Sequence, residues 1–204
     1  MQRLPAEHPQ LQFLSNVRYF SSYLESTNKS RYPLALRDLF VNPCEYYLAL
    51  ASIAEEMPRK KRSIPNSGSF SIEQVSLLLP ILKDYSSSNR MFCFYHRYYL
   101  GCLEDSESAE DRGYDCEIDE LPEIMKMPGN DFSPTIFWSE NKTWFFLNDY
   151  DQACGIFGGP AALGRTLRDC LPFRTFEVSA NVTLEEVDSE FWNSVETLDA
   201  HVFR

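Results

Sequence analysis

The side chains able to do chemistry are thinly spread along this chain. Asp149-Tyr150-Asp151 sets two carboxylates at i and i+2. On an extended chain those share a face, and carboxylate oxygens suit Mg²⁺ or Ca²⁺. No third ligand accompanies them, so the plainer reading prevails: Asp149 bonds turn amides and Asp151 is solvated. Cys93, His96, Cys102 and Cys116 carry the atoms zinc prefers. Their spacing is poor, because Cys93 and His96 on one strand point to opposite faces. A buried thiol and a half-buried imidazole are expected instead, and no metal is assigned.

Nucleophilic catalysis needs a Cys or Ser beside a base. The histidines are His8, His96 and His201, two of them near the termini. His96 with Cys102 or Cys154 is the conceivable pair, but no nucleophile signature or oxyanion-hole motif surrounds either, so no catalytic residue is assigned. Residues 155–162, GIFGGPAA, end at an expected helix N-terminus that could receive a phosphate. They lack the Lys-Ser/Thr of a P-loop, and Pro160 removes an amide, so a structural turn is expected. Arg59-Lys60-Lys61-Arg62 reads as a solvated basic loop.

Composition bounds the rest. A chain of 204 residues with 44% hydrophobic and 14% aromatic content makes one domain, or one with a small appendage. The six Cys are scattered without a CxxC pair, residues 1–10 do not resemble a secretion signal, and no apolar run approaches a membrane span. A cytoplasmic protein with reduced thiols and no cofactor is expected, in which the Asn141 sequon has no role. The net charge is -11, and residues 104–123 hold ten acidic side chains against Arg112. Such a surface disfavours nucleic acid and favours a basic protein as partner.

The elements that must position these residues follow from periodicity and punctuation. Leu11, Leu14, Val17, Phe20 and Leu24 have helical spacing. Asn42, Pro43 and Glu45 look like a helix start, predicting a helix to about Glu56 with Tyr46, Leu50, Ile53 and Ala54 inward. Residues 58–69 form a basic, Pro- and Gly-containing linker. Ser71 and Gln74 form a capping box for a helix carrying Val75, Leu78, Leu79 and Leu82, with Pro80 expected to kink or shorten it. Residues 91–100, MFCFYHRYYL, read as a central strand. The acidic stretch reads as a loop. Residues 135–139 and 143–148 read as a hairpin around Glu140-Asn141-Lys142, and 152–157 as the next strand. Gly158-Gly159 then reverses the chain in a left-handed turn. A helix from Pro160 to Pro172, a strand over 173–178 and a helix capped by Thr183 and Glu186 complete the pattern. The class is α+β: an antiparallel sheet with helices on one face and an N-terminal helical segment. The division expected is 1–69, helical segment and basic linker, and 70–204, α+β domain with the acidic insertion 104–123.

These residues resemble a group of largely uncharacterised bacterial proteins. The likeness rests on the aromatic strand 95–101 ending at a Gly, the acidic insertion, and Pro134 before a strand ending in Trp138. Trp144, the pair Asp149 and Asp151, and Gly158-Gly159 before a helix complete it. It covers roughly residues 75–180, and Ser139-Glu140-Asn141 departs from the Pro-Glu-Asp turn of many such proteins. The resemblance implies a fold and no reaction. By analogy, such small acidic proteins resemble the immunity or antitoxin partners of secreted toxins.

The expectation is therefore a non-catalytic binding protein that neutralises a basic partner, such as a toxin. Glu104, Asp105, Asp111, Asp115, Glu117, Asp119 and Glu120 would steer encounter, and Tyr95, Tyr98 and Trp138 would supply buried anchors. The competing expectation is a small metal- or ligand-binding enzyme with a groove near Asp149, Asp151 and His96.

Overall fold

A computed structural model describes residues 1–5, 8–10, 35–39, 44–51, 69–96, 111–128, 130, 133–148, 154–172, 174–187 and 189–190. The helix expected over residues 10–24 lies almost wholly outside them.

The described strands are β1 (Gln2–Leu4), β2 (Tyr46–Ala51), β3 (Arg90–Tyr95), β4 (Arg112–Glu117), β5 (Ile136–Ser139), β6 (Phe145–Leu147), β7 (Cys154–Gly159) and β8 (Thr175–Val178). They form one antiparallel sheet in the order β1-β4-β3-β5-β6-β7-β2-β8. The α+β class therefore holds. Strands from both sides of the 69/70 boundary belong to this one sheet.

Alternation along the strands builds two apolar layers. On one face Leu48, Met91, Cys93, Tyr95, Tyr114, Phe137, Phe146 and Phe157 meet the helices. Phe92, Phe94, Ile136, Trp138, Phe145 and Ile156 point the other way and pack with Leu4, Leu36, Leu184 and Val187. Leu36 belongs to the short α1 (Leu36–Leu39). The helices of the first face are α2 (Ile72–Asp84), α3 (Leu121–Met125) and α4 (Ala161–Cys170). Each fully buried aliphatic or Phe side chain contributes about 1.5–3 kcal/mol before entropy is charged against it.

The capping box of α2 forms as expected: Gln74 N–H donates to Ser71 Oγ at 3.2 Å and Ser71 N–H to Gln74 Oε1 at 3.0 Å. Val75, Leu78, Leu79 and Leu82 make its buried stripe. The helix continues past Pro80, which is exposed, to Asp84. The hairpin also forms, with Ile136 opposite Leu147 and Lys142 at φ 58 in its turn.

Three expectations are overturned. The helix predicted from Asn42 is, over Tyr46–Ala51, a strand inside the sheet. Leu and Ala favour helix locally, but a strand buried on both faces also reads as an unbroken apolar run. Pairing with β7 and β8 decides between them. Second, Gly158 and Gly159 are strand residues opposite Tyr47 and Tyr46, not a left-handed turn. Their lack of a side chain makes room for rings. A Cβ at Gly158 would stand 2.3 Å from Phe145 Cζ, and one at Gly159 2.6 Å from Phe157 Cζ. Third, residues 112–123 of the acidic stretch are not a loop. They form β4, a 3₁₀ turn (Ile118–Glu120) and the start of α3. Tyr114 and Cys116 alternate inward along β4, so the strand is held between β3 and β1 despite its charge.

Candidate functional site

The acidic stretch is tied to its neighbours. Register places Asp115 opposite Phe92 in β3, and its carboxylate takes Arg90 Nη2 as partner. Arg90 Nε also lies 3.9 Å from Glu140 Oε1. Glu117 accepts from Asn89 Nδ2 at 3.1 Å. Asp119 is paired with Lys83 at the end of α2. Glu120 accepts the Glu117 N–H at 3.0 Å and the Met1 amine at 3.1 Å. These bonds, the Glu117 amide first, hold the Glu120 carboxyl below its ordinary range. Asp111 is exposed just ahead of β4. Glu104, Asp105 and Tyr98 lie outside the described residues. The stretch thus presents carboxylates already engaged with Lys83, Asn89 and Arg90, an arrangement that anchors β4 and the turn after it.

Tyr95 and Trp138 do not serve as exposed anchors. Tyr95 is 3% exposed on the helix-covered face, edge-on to Tyr114 with ring centroids 6.2 Å apart. Burial pushes its hydroxyl far above the ordinary tyrosine range. Trp138 is 1% exposed on the opposite face, stacked on Phe92 at 5.9 Å. Its indole N–H donates to Gln10 Oε1 at 3.4 Å. Both belong to the core, on opposite sides of the sheet.

The other expected groove is described only in part, since Asp149 and Asp151 lie outside the described residues. His96 is half-buried just beyond β3, donating its backbone N–H to Thr135 Oγ1 at 3.1 Å. Its ring lies edge-on to Phe94 at 6.3 Å. Cys93 and Cys116 sit on the helix-covered face, His96 beside Phe94 on the other. Burial first, then the Cys116 thiol, raises the Cys93 pKa. Cys102 lies outside the described residues. Among the described residues no group of three or more His, Cys, Asp or Glu side chains could hold a metal ion.

Buried polar groups collect at this end of the sheet. Ser133 Oγ accepts from Phe70 N–H at 2.9 Å and from Asn148 Nδ2 at 3.2 Å. Ser133 N–H in turn donates to Ser69 Oγ at 3.0 Å. Asn148 Nδ2 also reaches the Pro134 carbonyl at 2.9 Å, while Asn148 Oδ1 has no hydrogen-bond partner. The α4 N-terminus, the conceivable phosphate site, already holds an anion of the chain itself: Ala161 N–H donates to Glu45 Oε2 at 3.3 Å.

One acidic surface was not foreseen. Thr183, Glu185, Glu186, Ser189 and Glu190 line an open hollow of about 590 Å³. Its geometry begins with a capping box: Glu186 N–H donates to Thr183 Oγ1 at 3.2 Å, and Thr183 N–H to Glu186 Oε2 at 2.7 Å. The sequence showed the cap. The signal for the surface is the spacing of residues 186 and 190, four apart, which puts both carboxylates on one helical face.

The chain matches no family model, no curated protein and no solved structure.

Proposed function

We propose that this chain is a non-catalytic acidic binding protein, of the immunity or antitoxin type, that neutralises a basic partner protein. The observation that carries this reading is the open hollow with Glu185, Glu186 and Glu190 on its wall, in a chain of net charge -11. Carboxylates facing solvent around a concavity attract a cationic surface over about a Debye length, which speeds encounter. The carboxylates of Asp115, Glu117 and Asp119, paired within the chain as Glu186 is with its Thr183 cap, add to the same field. No described helix is long and apolar enough to cross a membrane, and Cys44, Cys93, Cys116, Cys154 and Cys170 are free thiols. The free thiols fit a reducing, cytoplasmic setting.

The test is affinity capture from the organism of origin at low and high salt, followed by association kinetics with the captured protein. A stoichiometric basic partner released by salt is expected. Glu185→Lys with Glu190→Lys should slow association by about tenfold or more at low salt, with a smaller effect at high salt. An unchanged on-rate in the double variant sinks the reading.

A further inference from the structure

We draw no further inference here: the strongest candidate, the buried polar cluster of Ser69, Ser133 and Asn148 beside the β5–β6 hairpin, presents an unpartnered carboxamide oxygen, but the Phe70 ring and the Gly155 backbone already fill the space before it, a Cβ at Gly155 standing only 2.5 Å from Phe70 Cζ and 2.6 Å from Asn148 Oδ1, so it leaves no room for a ligand.

Discussion

Gly164 of α4 cedes its side-chain space to the ring of Tyr46 in β2. A Cβ at that glycine would stand 2.1 Å from Tyr46 Cδ1 and 2.6 Å from Cε1. Real carbon atoms do not approach so closely, so the helix rests on the sheet only because residue 164 is glycine. Gly164→Ala sets two effects against each other. Alanine gains about 1 kcal/mol in helix propensity, and overpacking costs about 1–3 kcal/mol. The ring is buried against the sheet and cannot swing away cheaply, so we expect net destabilisation. Urea titration checks this. A variant as stable as the parent would mean that α4 can lift from β2 without cost.

Ser133 should be the costliest hydroxyl to delete. Its Oγ accepts from the Phe70 amide and the Asn148 carboxamide in a buried setting. Ser133→Ala takes this acceptor from the Phe70 amide and leaves the Asn148 carboxamide nitrogen with the Pro134 carbonyl alone, a loss of about 1–3 kcal/mol. Ser88→Ala, which removes a bond to the exposed Glu140, serves as the control and should change stability by less than about 0.5 kcal/mol. Equal losses in the two variants would contradict the buried network.

Acid should weaken the ends of α2 and β4 together. The Glu73 carboxyl is lowered from 4.5 by its own backbone N–H and the Ser71 hydroxyl, and that of Glu120 by the Glu117 amide. A carboxyl whose folded pKa lies below its unfolded value adds stability above the unfolded pKa. That stability is lost as pH falls through the folded value. Denaturation midpoints should therefore hold above about pH 5 and fall below 4.5. Glu73→Gln with Glu120→Gln should flatten that fall. Both groups are exposed, so the effect is modest. A curve of unchanged steepness would remove these two carboxyls from the account.

Cysteine labelling should follow exposure and burial. Cys170 is exposed, whereas burial pushes the Cys44 thiol from 9.0 up to about 12. At pH 8 Cys44 is then thiolate in only about one molecule in ten thousand, and the thiolate is the reactive form. Brief alkylation of the native protein, mapped by peptide mass, should label Cys170 and spare Cys44, Cys93 and Cys116. Early labelling of Cys93 or Cys116 would show that β3 and β4 open far more readily than their pairing implies.

Local signals were legible and distant ones were not. The Ser71 and Thr183 caps form between residues three apart, and a turn's hydrogen bonds are written in its own sequence. The hairpin around Asn141 is equally local. Tyr46–Ala51 is ambiguous in the sequence because its apolar run suits either helix or doubly buried strand, and its partners lie far along the chain. In residues 112–117 the charged side chains mask the alternation of Tyr114 and Cys116 that marks a strand. The carboxylates raised the same difficulty. Asp115 and Asp119 looked free, yet their partners Arg90 and Lys83 are 25 and 36 residues away. Nothing in the spacing announces such pairs. For the same reason alternation could place Tyr95 and Trp138 on a face but could not say what covers that face.

The seat of β2 between β7 and β8 also bears on how the chain is made. Synthesis proceeds from the N-terminus, so Tyr46-Tyr47-Leu48-Ala49-Leu50 leaves the ribosome long before Gly159 and Val178, which it must pair with, have been added. Through most of translation an apolar strand waits with both edges open. That interval is the one in which the nascent chain is most exposed to aggregation and most in need of a chaperone.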